Sequence, residues 1–151
     1  MTSIEQIISA VEELDGALVL RPEPDGDAYL YHAPDGRPPR TGQPYGTITT
    51  ADQPGDTASH LDAPDRWRVN VHVDRGIFEA LTGETPSALT RPRDHTAVDT
   101  VLPHPVYGTA GWICVVNPGP RTADTVTRLL RDAHERARAR HQRRQRLSPG
   151  R

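Results

Sequence analysis

His104 and Tyr107 stand three residues apart in HPVYG, on the approach to the apolar run WICVV. A histidine gains or loses a proton near neutral pH, and a tyrosine hydroxyl beside it supplies a hydrogen-bond donor to the same reacting group. Asp99, five residues upstream, is the candidate to orient the imidazole. The three form a candidate acid–base site with His104 as general base. A second pattern is RWRVNVHV, residues 66–73, in which Arg66, Arg68, Asn70 and His72 alternate with Trp67, Val69, Val71 and Val73. In an extended chain the first set shares one face, its members about 6.5–7 Å apart. That face is a cationic, hydrogen-bonding stripe suited to an anionic ligand or a phosphate backbone. A third group, Arg136, Arg140, Arg143 and Arg144, lies near the C-terminal end and offers phosphate contacts. The same segment has no aromatic residue on which bases would stack.

Several chemistries lack their residues. The seven histidines and the single Cys114 show no H-x-x-x-H, H-x-H or C-x-x-C spacing, so neither a metal site nor a metal-borne cofactor is expected. The sequence holds no lysine, which excludes a Walker-type phosphate loop, and no G-x-S-x-G. Cys114 sits inside an apolar run, where a thiol is inert. A lone cysteine fits a reducing compartment. Residues 1–15 carry Glu5, Glu12 and Glu13 rather than the basic start of a signal peptide, and no apolar run nears the ~20 residues of a membrane span. The expectation is a cytoplasmic protein, monomer or homodimer, away from membranes.

Charge is divided unevenly. Residues 1–120 carry a net −9 and residues 121–151 a net +7, an acidic body with a basic tail. Such asymmetry points to a nucleic-acid contact or to a tail folded onto an acidic surface. Abundant Arg, Ala, Gly and Pro without Lys is also what a GC-rich genome produces.

These residues are positioned by elements the pattern makes readable. Ser3 and Gln6 have the capping-box spacing, and Ile4, Ile7, Ile8, Val11 and Leu14 follow at helical period before Asp15-Gly16 stops the helix. ALVL (17–20) and AYLYH (28–32) read as a hairpin, and YGTITT (45–50) as a further strand. Residues 66–73 are a half-buried antiparallel strand. Asp74 caps a short helix bearing Ile77, Phe78 and Leu81, which Gly83 ends; residues 84–100 read as loop. WICVV (112–116) is a central strand. Thr122 is the expected N-cap of a long final helix reaching Arg146, with Asp124–Arg128 and Asp132–Arg136 as i,i+4 pairs and an apolar stripe that stops near Ala137. The order gives an α+β fold: an antiparallel sheet with an N-terminal helix, a short middle helix and a long C-terminal helix packed on it. Residues 1–146 form one domain with a Pro-rich loop segment at 34–65, and 147–151 are a disordered basic tail.

This order resembles that of the MmcQ/YjbR-like domains, which share a CyaY-like α+β core. RWRVNVHVD (66–74) is similar to their strand leading into a short helix, GWICVV (111–116) to their tryptophan-led strand, and the final helix follows as theirs does. The chain departs from them at Ala133-His134, where their final helix usually carries Ser-Tyr, and in the extra segment around 34–65. It also resembles a set of uncharacterised actinobacterial proteins through PGDTAS (54–59), AVDTVLPHPVYG (97–108) and VVNPGPRTA (115–123). DNA binding has been suggested for the MmcQ/YjbR-like fold, and that is what the resemblance implies.

Two functions fit these readings. One is a binding module for an anionic ligand, either DNA or an acidic metabolite, using Arg66, Arg68, Asn70 and His72 and the C-terminal arginines. The other is a metal-independent isomerase, lyase or cyclase with His104 as its base. The sequence alone does not decide whether the protein is an enzyme.

Overall fold

A computed structural model of the chain describes residues 2–40 and 42–147. The first helix, α1 (Ile4–Glu12), begins with the expected capping box: the Ser3 side chain accepts from the Gln6 amide and the Gln6 side chain from the Ser3 amide. It ends before Asp15-Gly16, and Gly16 makes the later left-handed turn at φ 72°. Strands β1 (Ala17–Leu20), β2 (Ala28–His32), β3 (Gly46–Thr49) and β4 (Arg68–His72) follow. Helix α2 (Arg75–Thr82) is capped by the Asp74 carboxylate on the Ile77 amide and stopped by Gly83 in the left-handed region. A short β5 (Leu102–Pro103), β6 (Trp112–Val116) and the long helix α3 (Ala123–Arg146) complete the chain. The fold is α+β. Its six strands pair antiparallel in the order β1-β2-β3-β4-β6-β5.

Alternation in β4 divides the sheet into two faces. Val69 and Val71 are fully buried and pack with Leu30, Ile48, Ile113 and Val115 beneath Ile7, Ile8 and Val11 of α1 and Val126, Leu129 and Leu130 of α3. Each such side chain contributes about 1.5–3 kcal/mol by leaving water. Helix α3 comes so close to β3 that a Cβ at Gly46 would lie 3.0 Å from Leu130 Cδ2 and 3.2 Å from the Asn70 carbonyl oxygen. Only glycine fits that crossing without movement. On the other face, Asn70 stands beside Thr47 and Cys114, and His72 beside Trp112.

Several local expectations are corrected. The short β5 was not readable, because two residues give no period. Thr122 occupies the N-cap position of α3 but does not cap with its side chain. Instead its hydroxyl donates to Asp99, whose carboxylate also accepts the amides of Gly119, Arg121 and Thr122. Neither Asp124–Arg128 nor Asp132–Arg136 is an ion pair among the described residues; the Arg136 guanidinium reaches the His72 carbonyl instead, at 2.7 Å. Of the tail expected at 147–151, residues 148–151 lie outside the described residues. Among the described residues, no helix is long and apolar enough to cross a membrane.

Candidate functional site

The non-helical face of the sheet carries a buried polar cluster centred on Arg68, which is 1% exposed. A guanidinium at that depth must satisfy its donors within the protein. Its Nε donates to Asn70 Oδ1 (2.7 Å) and its Nη1 to Asp56 Oδ1 (3.0 Å) and Ser59 Oγ (3.0 Å). Its Nη2 donates to Asp56 Oδ2 (2.6 Å). Asn70 is fixed in turn, its amide donating to the Thr47 and Thr49 hydroxyls, each at 2.9 Å. Burial alone would raise the Asp56 carboxyl, but the hydrogen bonds and charge of Arg68 outweigh it and hold Asp56 below its usual range. The Pro-rich segment thus folds over this face, and Asp56 neutralises the arginine that the strand supplies.

His104 joins the cluster from the other side. It follows β5 in the turn that leads to β6, and it is 5% exposed. Its Nδ1 accepts the backbone amides of Val106 and Tyr107, both at 3.0 Å. An acceptor nitrogen carries no proton, so the proton of the neutral ring sits on Nε2. Burial and then the Arg68 charge push the His104 pKa down to about 4, which keeps the ring neutral. Nε2 lies 3.2 Å from Arg68 Nη2 and 3.9 Å from Asp56 Oδ2. Both nitrogens of the short contact are donors, so it is a juxtaposition of two N–H groups and not a hydrogen bond. This is the geometry of a hydrogen-bond donor; service as a general base would require the ring to change tautomer and lose both backbone bonds.

Arg68, Asn70, His104 and Tyr107 line one cavity of about 530 Å³, together with Asp56, Tyr29 and Trp112. Of the β4 stripe, Arg68 and Asn70 thus share this cavity with His104 and Tyr107. Tyr107 is 56% exposed, and its ring leans over His104 with centroids 5.1 Å apart. Asp99 does not belong to this site. Its carboxylate is engaged by the start of α3, and the orientation of His104 comes from backbone amides. Arg66 does not belong either; its guanidinium donates to the Ser59 and Thr96 carbonyl oxygens and ties the two long loops together.

His72, the last member of the stripe, opens on a second cavity of about 620 Å³. There the strand end meets the C-terminal half of α3. Arg136, Arg140 and Arg144 recur every four residues and share one helix side, above Ala133 and Ala137. Arg40 and His141 join them, and among the described residues no Asp or Glu lines this cleft. Among the described residues none of Arg136, Arg140 and Arg144 has a carboxylate partner. Burial lowers the Arg140 pKa, and the neighbouring charges of Arg136, Arg144 and Arg143 lower it further. The His72 pKa is lowered by burial and then by the charge of Arg136. Arg143 is exposed and lies outside the cleft, one residue round the helix from Arg144.

Two other expected features have structural assignments. Cys114 is buried and its thiol pKa is pushed up to about 12 by burial, so it stays protonated. His134, at the departure from the Ser-Tyr pair, is buried between the Asp15 carbonyl (2.7 Å from Nε2) and the Tyr45 hydroxyl (3.0 Å from Nδ1), and it ties α3 to the sheet. Among the described residues no group of three or more His, Cys, Asp or Glu side chains is placed to hold a metal ion.

Asp56, Tyr29 and Trp112 are the site residues that the sequence reading missed. One signal was available for Asp56. An arginine on a strand face that becomes buried requires an acidic partner, and the 51–65 loop holds four acids. Which one reaches Arg68 depends on the left-handed turn at Gly55, φ 80°.

A family model matches residues 1–146, and the chain belongs to that family, described as a family of unknown function (DUF6194). No curated protein and no solved structure matches the chain.

Proposed function

We propose that this member of the DUF6194 family is a small-molecule binding module whose basic cleft holds an anionic metabolite bearing phosphate or carboxylate groups. One observation carries the reading: Arg136, Arg140 and Arg144 converge on a concave surface beside His72 with no carboxylate among the described residues lining it. Like charges held together without counter-ions cost free energy, and an anion that pairs with them recovers it. Guanidinium groups suit this role, since each presents paired N–H donors to a phosphate or carboxylate. Arg66 and Arg68 are not the anion site in this reading: Asp56 neutralises Arg68, and Arg66 lines neither cavity and spends both Nε and Nη2 on backbone carbonyls, whereas Arg136 spends Nη2 alone on the His72 carbonyl and lines the cleft.

The concave shape favours a metabolite over a nucleic-acid backbone, which would run along an open surface. Duplex DNA is nevertheless the natural comparison, given the resemblance to MmcQ/YjbR-like domains. We read residues 1–146 as one domain built on a continuous sheet. We also read the protein as cytoplasmic on the strength of its lone buried thiol, and as a monomer or homodimer.

The test is a thermal-shift and calorimetric comparison of inorganic pyrophosphate, citrate and a short DNA duplex at low salt. A ligand at a hundred times its Kd adds about 2.7 kcal/mol to stability, or roughly 5–10 °C in Tm for a chain of this size. Pyrophosphate or citrate should give such a shift, and Arg140→Ala with Arg144→Ala should abolish it. If neither anion binds while DNA does, the cleft is a nucleic-acid contact. If nothing binds, the reading is wrong.

A further inference from the structure

The two cavities share a wall. Gln43, Pro44 and Trp112 line both, so a ligand that passes this wall would touch both chemistries. On one side is the arginine cleft, without a carboxylate among the described residues. On the other, the charged side chains are Asp27, Asp56 and Arg68, which leaves no surplus of positive charge. A phosphate placed there would face Asp56 at close range. The walls are instead aromatic: Tyr29, Tyr107 and Trp112.

The polar end of this second cavity is specific about what it takes. Among the described residues the Nε2–H of His104 has no acceptor within hydrogen-bond distance: Arg68 Nη2, 3.2 Å away, is itself a donor, and Asp56 Oδ2 stands off at 3.9 Å. One N–H of that Nη2 goes to Asp56 Oδ2, and the other is left beside His104. Two N–H groups on side chains 5% and 1% exposed therefore converge without a shared acceptor. A buried donor left in that condition is costly, and an uncharged oxygen that accepts from both relieves the cost. The complementary group is a carbonyl on a flat ring, which the aromatic walls also suit.

We propose that the ligand is a nucleoside phosphate with an oxo-bearing base. Its phosphates sit among Arg136, Arg140 and Arg144, and its base lies against Tyr107 and Trp112 with the ring carbonyl on His104 Nε2–H and Arg68 Nη2–H. Uracil and guanine satisfy this geometry. Adenine has no carbonyl and presents an amino donor where the site already has donors, so it is selected against. This assignment rests on the anion-cleft reading above and extends it to the substrate class.

The experiment compares uridine, UDP, GDP, ADP and inorganic pyrophosphate by calorimetry on the full chain at low salt, with Trp112 fluorescence as a second readout. UDP and GDP should bind about tenfold or more tighter than pyrophosphate and than ADP, the margin expected of a charge-assisted hydrogen bond to a carbonyl plus ring stacking. His104→Asn places Oδ1 where the two backbone amides need an acceptor but supplies no N–H at the Nε2 position. It should narrow the margin of UDP over ADP, since one of the two donors to the carbonyl is gone, and leave pyrophosphate itself unchanged. Should that variant fail to fold, Tyr107→Ala on the exposed wall serves instead, with UDP binding expected to weaken about fivefold or more. If pyrophosphate binds and UDP binds no more tightly, the base site is refuted while the cleft stands. If UDP binds but ADP equals it, the carbonyl assignment is refuted. If neither pyrophosphate nor any nucleotide binds, the cleft reading falls and this inference falls with it.

Discussion

Acid should destabilise this protein well above the range in which carboxylates titrate, and His104 should be responsible. An unfolded histidine takes up its proton near pH 6.5, whereas in the fold burial and the Arg68 charge hold His104 neutral down to about pH 4. Between those values the unfolded chain binds more protons than the folded one, so stability falls as pH falls. At pH 5 the unfolded ring is almost wholly charged and the folded ring about one-tenth so. The ratio of the two binding polynomials then amounts to about 2 kcal/mol lost between pH 7 and pH 5, and about 3 kcal/mol once pH 4 is reached. For a chain of this length the first step corresponds to a Tm drop of roughly 4–8 °C. The measurement is urea unfolding at pH 7, 6, 5 and 4 for wild type and His104→Asn. His32 and His72 also have lowered pKa values and act in the same direction, so the variant profile, which keeps both, serves as the baseline. The stability of wild type relative to the variant should fall by about 2 kcal/mol between pH 7 and pH 5 and by about 3 kcal/mol at pH 4. Parallel curves would refute the argument, since they would mean that His104 ionises in the fold as freely as it does unfolded.

Two further outcomes test the framework around the site. Asp56→Asn leaves the Arg68 guanidinium buried without its counter-charge, and unfolding in denaturant should show a loss of about 3 kcal/mol or more, a cost that a merely solvated loop carboxylate would not carry. Asp99→Ala removes the acceptor for three backbone amides and the Thr122 hydroxyl at the start of α3, at a backbone conformation (φ 52°) that disfavours alanine. It should cost about 1–2 kcal/mol by thermal melting while leaving the binding of any ligand at the His104 cavity unchanged, and an effect on binding would return Asp99 to that site.

The fold was legible wherever a period ran long enough to be counted. Alternation over 66–73 separates the valine face from the arginine face of β4, and the helical stripe of Val126, Leu129, Leu130 and Ala133 faces the sheet in α3. Both signals are local consequences of burial on one side. The capping box at Ser3 and Gln6 is local too, which is why it too could be read directly. Signals that depend on distant chain are different. Thr122 has the residue type of an N-cap, but the carboxylate of Asp99, 23 residues away, fills that role because a loop delivers it there. The two residues of β5 had no period to offer and take their conformation from β6.

The candidate site follows the same division, and it decides what the arginines do. Sequence places Arg68 and His72 on one face and Arg136, Arg140 and Arg144 on one helix side, and both placements are sound. The sign of the field at each is not contained in those patterns. Arg68 is the most cationic feature of β4 in the sequence, yet Asp56 cancels it through a turn whose path no periodicity specifies. The helix arginines have acids within one turn, Asp132 and Glu135, yet α3 aims its arginines into the cleft and none of those acids lines it. Residue type alone offers an anion both the strand and the helix, whereas pairing leaves only the helix arginines of the cleft without a carboxylate partner among the described residues. The strand is left with a pocket that has no surplus of positive charge, and Trp112, paired with His72 across β4 and β6, stands at the junction of the two.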